Sequence, residues 1–221
     1  MFDLDIGMMG YGLYVPEPRM TAAEIASATN IPENVISQKF GIKQKPMPGP
    51  EDTTAEMGLI AARRAIEKAG IDPKEIDLVV WFGAQHKDYP CWLASLKIAH
   101  ALGAENAWGF DMEAMCGAFI VALETARGLM LSSESNRTVL LVSGYRNADL
   151  INLSVPETTF MADLCAGGAA AVLRRGYDRN VLLGTAFKGD GSFSELCVVP
   201  VLGSKKWPPE PGDDQKAFFR I

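Results

Sequence analysis

Cysteines are the residues of this 221-residue chain with the most obvious chemical potential, and there are four: Cys91, Cys116, Cys165 and Cys197. No two of them form a CxxC pair and the two histidines form no HxxxH pair, so the spacing does not predict a structural zinc site. A disulfide framework is not expected either in a chain of this size and composition. We therefore expect no metal, and we expect most of these thiols to be small buried side chains.

Cys116 differs from the other three in its predicted position. It follows a short predicted strand at 108–112 and opens a predicted helix that runs to residue 131. The positive end of a helix dipole stabilises a thiolate, and the free N–H groups of a first turn can hold the oxyanion of a thioester carbonyl. Gly117 leaves room for a substrate to approach. The pattern therefore indicates a nucleophile for acyl transfer, with oxyanion support from the backbone of Cys116 and Gly117, although a structural cysteine could occupy the same position.

Composition narrows the class of protein. Hydrophobic residues make up 48% and charged residues 22% of the chain, which is typical of a globular domain, and the net charge is −6. An acidic chain without a basic cluster is a poor nucleic-acid binder. The longest apolar stretches, such as 78–82 and 139–142, are too short to span a bilayer, and the acidic first residues are atypical of a signal peptide. We expect a cytoplasmic protein with neither a nucleic-acid nor a membrane partner.

Helix and strand signals alternate along the chain and predict an α/β fold with a mostly parallel sheet. Thr21 with Glu24 forms a predicted capping box, and a second short helix is expected between Pro32 and Gly41. Further helices are predicted at 53–70, 92–102 and 116–131, the last apolar nearly all round and therefore expected at the centre of the fold. Strands are predicted at 77–82, 108–112, 138–142, 168–173, 181–187 and 195–201, and a loop at 203–216.

Several blocks, taken in order, resemble one family. FDMEAMCGAFIVALETA resembles the nucleophile segment of the β-ketoacyl-acyl-carrier-protein synthase III branch of the thiolase superfamily. TTAEMGLIAARRAIEKAGIDPKEIDLVV resembles the long helix and central strand of that family, and FGIKQK the loop before them. DYP, LKIAHALG, AGGAAAVL and GDGSFSEL follow in the family's order. The resemblance extends from Ile6 to Pro200.

The resemblance implies a thiolase-like fold, which when complete has five alternating αβαβα layers built from two similar halves and is usually a homodimer. Residues 1–175 would form the first half, with the nucleophile, and residues 176–221 the incomplete beginning of the second. It also implies an acyltransferase. Cys116 would take an acyl group from acyl-CoA, and a malonyl thioester would then condense with it after losing carbon dioxide. Fatty-acid or related lipid or polyketide biosynthesis is the implied context, with acyl-CoA and acyl-carrier protein as partners and no bound cofactor.

Further roles follow from the resemblance residue by residue. Tyr89 stands where the family places an aromatic residue that closes the acyl pocket of the partner in the dimer. Leu164 and Phe187 could line that pocket, and Lys39 stands at a basic position that can meet a phosphate of CoA. Val35 occupies the place where the family often has an aromatic residue stacked on the CoA adenine.

Two departures from the family pattern affect the expected activity. The His and Asn that hold the enolate in the family come from its second half, and neither His86 nor His100 matches the catalytic histidine. We therefore expect the 221 residues to lack full turnover, whether they are a fragment or a natural half. Cys165 replaces the first glycine of a Gly-Asp-Gly turn and is expected to be a packing residue.

Two other functions remain open from the sequence. A hydroxymethylglutaryl-CoA synthase-like enzyme would need a general-acid Glu after the strand at 77–82, where this chain has Ala84 and Gln85. A non-catalytic thiolase-fold subunit that binds a thioester carrier would need only the acylated cysteine. The glycines of IGMMGYG are a poor dinucleotide fingerprint, because Tyr-Val-Pro follows them in place of a helix.

Overall fold

The computed structural model describes residues 5–84, 86–213 and 216–220. These residues form two compact units. The first unit contains the described residues of Met1–Pro16, Gly49–Arg146 and Gly167–Ala186, and the second those of Glu17–Pro48, Asn147–Ala166 and Phe187–Ile221. The predicted boundary after residue 175 concerns the halves of a complete thiolase-like protein and stays a prediction.

The alternation of helices and strands is confirmed along the described chain. The strands are β1 (Ile6–Tyr14), β2 (Arg19–Thr21), β3 (Gln44–Pro46), β4 (Leu78–Gly83), β5 (Trp108–Glu113), β6 (Thr138–Tyr145) and β7 (Gly167–Arg175). The α-helices are α1 (Ala22–Thr29), α2 (Thr54–Ala69), α3 (Ala94–Leu102) and α4 (Ala118–Ser132). The short helix expected between residues 32 and 41 is present as a π-helical turn, Val35–Lys39.

The first unit is built on a five-stranded sheet in the order β1-β7-β6-β4-β5. Its strand β4 runs parallel to β5 and β6, whereas β7 is antiparallel to both of its neighbours, β6 and β1. Four strands therefore share one direction and β7 opposes them. Two of the four strand pairings in this sheet are parallel and two are antiparallel, so the sheet is mixed and the prediction of a mostly parallel sheet is only partly right.

Helices cover both faces of this sheet, which explains the continuous apolar run of β4. Alternate residues of the strand point to opposite faces. Val79 and Trp81 belong to the core under α2 and α3. Leu78, Val80 and Phe82 belong to the core under α4.

Two predicted strands are wrong. Residues 181–187 form a single bridge, between Val181 and Gly7, and residues 195–201 a single bridge, between Val198 and Arg220. Leu183 is 91% exposed, so the apolar pattern of the first segment is not directed at a core. Apolar side chains without a surface to pack against do not hold a strand.

In the described chain, helix α4 is buried on one face. The prediction of a helix buried on every side is therefore wrong. Ala118, Ala122 and Ala126 are buried against the sheet, whereas Phe119 and Ile120 are exposed. Residues 115–132 are long and apolar enough to cross a membrane by length and composition alone, so the expectation that the apolar stretches are all too short is wrong on that measure. Because its inner face packs on the sheet, we describe this helix as a layer of the α/β unit.

Helix α2 lies unusually close to the sheet because glycines face it. It begins at the N-cap Thr53, whose hydroxyl accepts from the Glu56 N–H, and ends at Gly70 in the left-handed conformation. A Cβ atom on Gly12 of β1, Gly144 of β6 or Gly168 of β7 would overlap backbone carbonyl atoms of the helix. Those carbonyls belong to Ala61, Thr54 and Met57, respectively.

Gly168→Ala is therefore expected to lower the free energy of unfolding by about 1–3 kcal/mol, the usual cost of overpacking. Gly128→Ala is the matched control, because Gly128 lies on α4 and, beyond its chain neighbours and the backbone of its own helix, no described atom is within 4 Å of its Cβ position. The control should raise the free energy of unfolding by about 0.5–1 kcal/mol, since alanine restricts the unfolded chain. Urea unfolding of both variants checks the pair, and an equal change in both would contradict the close approach of α2.

The second unit has a smaller core. Strands β2 and β3 pair antiparallel, and the predicted capping box of Thr21 and Glu24 at the start of α1 is confirmed. Ala22, Ile25, Ile36 and Ala162 form its buried centre.

Candidate active site

Cys116 lies in a turn that joins strand β5 to helix α4. Strand β5 ends at Glu113, a 3₁₀ turn spans Met115–Gly117, and α4 begins at Ala118. Met115 has φ +46°, a left-handed conformation that costs a non-glycine residue of order 1–3 kcal/mol and recurs at functional sites. The chain thus changes direction sharply just before Cys116, whose thiol is exposed. The predicted placement between a strand and a helix is confirmed.

The backbone amides of this turn differ in their hydrogen bonding. The Gly117 N–H donates to the Ala114 carbonyl at 3.0 Å, and the Ala118 N–H donates to the Met115 carbonyl. Within the described residues the Cys116 N–H has no hydrogen-bond partner. A free N–H beside the thiol can donate to a developing oxyanion.

The surroundings of the thiol are apolar and open. Met115 and Ile120 are exposed, and the partly exposed Phe119 ring packs on Phe82 with centroids 5.4 Å apart. Apart from the two chain neighbours of Gly117, no described residue has an atom within 4 Å of a Cβ built on it. This surface suits an acyl chain better than a charged group.

Tyr89 lies on the loop before α3 and is 64% exposed. Its ring meets the Trp92 ring edge-on, with centroids 5.6 Å apart. The exposure fits a residue that contacts another molecule, but its predicted role at the acyl pocket of a partner stays a prediction.

A buried ion pair fastens the Tyr89 loop to the strand that leads to Cys116. The Asp111 carboxylate of β5 accepts from the Lys87 ammonium at 2.7 Å and from the Ala94 and Ser95 N–H groups at 2.9 Å. Lys87 also donates to the Trp92 carbonyl at 3.0 Å. The two side chains of the pair are only 11% and 7% exposed, so Asp111 both caps α3 and neutralises Lys87.

Asp88 fastens the other side of the same loop to the start of α2. Its carboxylate accepts from the Thr53 hydroxyl at 3.0 Å, the Thr54 hydroxyl at 2.7 Å and the Ala55 N–H at 3.2 Å. Sequence reasoning did not identify Lys87, Asp88 or Asp111 as important. A single acid within the otherwise apolar GFDM segment was the available signal for Asp111.

The other predicted site residues lie in the second unit. Lys39 is exposed at the end of the π-helical turn, Leu164 is half-buried, and Phe187 is 56% exposed. The second unit also has an open pocket of about 280 Å³. It is lined by Phe40, which directly follows Lys39 in the sequence, and by Ile42, Thr159, Phe160, Ala162 and Asp163. The Leu164 carbonyl accepts a hydrogen bond from Lys45.

The remaining candidate ligands are dispersed. His100 is exposed on α3 and His86 is half-buried in the loop before it. Among the described residues, no three His, Cys, Asp or Glu side chains come together as a metal site would require.

Three of the four cysteines are exposed and Cys165 is half-buried, so the expectation that most of the thiols are buried is wrong. Cys165 provides a contrast to Cys116. Burial raises the pKa of the Cys165 thiol above its ordinary value of 9.0, although the charge of Lys45 acts in the opposite direction. Because a raised pKa leaves the thiol neutral, we expect iodoacetamide to alkylate Cys165 most slowly of the four cysteines at neutral pH. Its rate should still rise as the pH passes 9.0. Peptide mapping against pH checks this, with exposed Cys91 as the reference; equal neutral-pH rates for the two would contradict it.

A family model and curated relatives match this chain. The model described as 3-oxoacyl-[acyl-carrier-protein] synthase III matches residues 110–191, which include Cys116. A protein of Streptomyces lividans named β-ketoacyl-[acyl-carrier-protein] synthase III is 38% identical over 162 residues, covering 73% of this chain and 47% of the relative. A protein of the same name from Azobacteroides pseudotrichonymphae is 34% identical over 200 residues, covering 88% and 58%. The chain thus spans about half the length of these curated relatives.

Solved structures agree with the sequence matches. A priming β-ketosynthase of a polyketide biosynthetic pathway is 35% identical, with a TM-score of 0.70 over 77% of this chain and 50% of that one. A 3-oxoacyl-(acyl carrier protein) synthase III of Pseudomonas aeruginosa has a TM-score of 0.83 over 98% and 64% at 22% identity, which supports the fold. With the sheet and helices described above, these likenesses confirm the thiolase-like fold. In sequence and fold the chain is thus similar to the β-ketoacyl-acyl-carrier-protein synthases III of the thiolase superfamily.

Proposed function

We propose that this chain carries the acyl-accepting site of a condensing acyltransferase of the synthase III type, with Cys116 as the acceptor. The exposed thiol at the strand-to-helix turn, beside a free N–H group, is the observation that supports it. The segment matched by the family model includes this turn.

In the first half-reaction the Cys116 thiolate attacks the thioester carbonyl of acyl-CoA. The carbonyl oxygen becomes an oxyanion, to which the Cys116 N–H donates, and the carbon–sulfur bond to CoA then breaks. CoA leaves as its thiol after taking a proton, and Cys116 holds the acyl group as a new thioester. The Gly117 N–H, predicted as a second donor, would first have to release the Ala114 carbonyl.

In the second half-reaction a malonyl thioester loses carbon dioxide and the electrons of the broken carbon–carbon bond form an enolate. The enolate carbon attacks the acyl group on Cys116, the bond to the Cys116 sulfur breaks, and a β-ketoacyl thioester leaves. The malonyl group would arrive on acyl-carrier protein, in fatty-acid or related polyketide synthesis. We assign neither His86 nor His100 to the enolate.

Lys39 and the 280 Å³ pocket that begins with its neighbour Phe40 are proposed to bind the CoA part of the donor. The Lys39 ammonium would meet a phosphate. Phe40 and Phe160 are about half exposed at the pocket and offer flat apolar surfaces to a nucleobase. These rings would supply the aromatic contact that Val35 lacks. Leu164 and Phe187 stay proposed lining residues of the acyl pocket.

The exposed edge of the first sheet supports a homodimer. Within the described chain, β5 pairs on one side alone, with β4, and its Trp108 ring is exposed and stacked on Phe110. An unpaired edge with apolar side chains favours association with another chain. Tyr89 would then contact the partner, and sedimentation velocity should detect a dimer.

The decisive experiment separates the two half-reactions. We expect acetyl-CoA to acetylate Cys116 and to release CoA in equal amount, and the protein expressed from its natural gene to convert malonyl-acyl-carrier protein into a β-ketoacyl product. Release of CoA without acetylation of Cys116 would overturn the proposal.

Two other outcomes would favour the alternative functions. A stable acetyl-Cys116 without any condensation product would favour a carrier-binding subunit. Hydroxymethylglutaryl-CoA formed from acetoacetyl-CoA would favour the other enzyme, for which Ala84 offers no general acid; Gln85 lies outside the described residues.

A further inference from the structure

Lys45 is a buried charge that joins the two walls of the pocket in the second unit. It lies in β3, just after the wall formed by Phe40 and Ile42. Only 5% of the residue is exposed. Its ammonium donates to the carbonyl of Ala162, a lining residue of the pocket, at 2.8 Å and to the carbonyl of Leu164, two residues later, at 2.9 Å.

The two bonds connect segments far apart in the chain. The second lining segment contributes Thr159, Phe160, Ala162 and Asp163, and the Lys45 side chain connects β3 to it. A backbone bond from the Ala166 N–H to the Pro46 carbonyl, at 3.2 Å, closes the same junction farther along. Two adjacent residues of β3, Lys45 and Pro46, therefore fix the distance between the two walls.

Burying a lysine at such a place costs free energy, because its ammonium loses its hydration. Burial lowers the pKa of Lys45, while the nearby Cys165 and Asp163 favour its charged form. A buried ammonium is retained where its hydrogen bonds outweigh desolvation, and its loss would leave two carbonyl oxygens without this donor. An apolar side chain could fill the volume but could not tie the two segments together.

We propose that Lys45 is a positioning residue that holds the pocket walls at the separation needed to bind the CoA part of the thioester donor. The proposal rests on the proposed function, in which this pocket binds CoA and Cys116 accepts the acyl group. Lys45 touches neither the thioester nor Cys116 in this role.

The test compares two acetyl donors that differ only in the carrier. Acetyl-CoA uses the pocket, whereas the acetyl thioester of N-acetylcysteamine lacks the nucleotide. Lys45→Met, which keeps the length and removes the donors, should raise KM for acetyl-CoA about tenfold, as expected if the walls then hold the binding separation only about a tenth of the time. Its second-order rate of Cys116 acetylation by the short thioester should be unchanged.

Two further variants serve as controls. Lys43→Met makes the same change at an exposed position two residues away and should leave both donors at wild-type rates. Lys45→Arg keeps the charge and the donors and should recover most of the acetyl-CoA affinity. If Lys45→Met does not fold, Lys45→Gln, which keeps a neutral donor, replaces it and should show the same selective rise in KM.

The outcomes distinguish this inference from the function on which it rests. Equal losses of Lys45→Met with both donors, or Lys45→Met rates that match those of Lys43→Met, would overturn the positioning role while leaving Cys116 as the acceptor. Absence of acetylation in the wild-type chain with either donor would overturn the proposed function itself, and the role of Lys45 with it.

Discussion

Cys116→Ala is expected to reduce acyl transfer from acetyl-CoA by at least about 10³-fold, the scale of loss when a covalent nucleophile is removed. The thiol is the atom that forms the new thioester, and alanine leaves no group at that position to form it. Release of CoA, followed with a thiol reagent, measures the rate. The fold should be retained, because Cys116 is exposed and its removal leaves no buried cavity.

Cys91→Ala and Cys197→Ala are the matched controls, since both remove an exposed thiol from the same chain. Each should transfer acetyl groups at nearly the wild-type rate. A large loss in either control, or wild-type transfer by Cys116→Ala, would contradict the assignment of the nucleophile.

Asp111→Asn is expected to lower the free energy of unfolding by about 3–5 kcal/mol, because it leaves a buried charge without its partner. The Lys87 ammonium lies 2.7 Å from the Asp111 carboxylate and is nearly enclosed. The amide also offers weaker acceptance to the two N–H groups at the start of α3. Urea unfolding followed by circular dichroism gives the difference.

An exposed ion pair provides the comparison. The side chains of Lys74 and Glu105 are 59% and 67% exposed at a separation of 3.1 Å, so Glu105→Gln should cost about 0–1 kcal/mol. Adding Lys87→Met to Asp111→Asn should restore part of the lost stability, because the orphaned charge is then gone. Equal costs for Asp111→Asn and Glu105→Gln would show that burial of the pair is not what makes it stabilising.

Local signals predicted the helices well, and also the place of Cys116 between a strand and a helix. The hydroxyls of Thr21 and Thr53 and the left-handed Gly70 determine where α1 and α2 begin or end, and these interactions span only a few residues. The turn at Cys116 was predictable for the same reason. The left-handed Met115 was not, because its conformation depends on how β5 meets α4.

Interactions between distant segments account for what the sequence did not reveal. Asp111 and Lys87 are 24 residues apart, and Lys45 meets a carbonyl 117 residues away. The hydrophobic periodicity of the sequence gives no information about such pairs. The strand predicted at 181–187 is wrong for the opposite reason. Its local pattern is apolar, but in the structure the segment forms one bridge, to β1.

Peptide-level mass spectrometry after brief incubation with acetyl-CoA tests the central claim most directly. The chain should carry one acetyl group, held as a hydroxylamine-sensitive thioester on the peptide that contains Cys116, and the urea-unfolded chain should lose this selectivity. Acetyl groups spread over the exposed cysteines and lysines, or a folded chain unmodified at Cys116, would contradict the account.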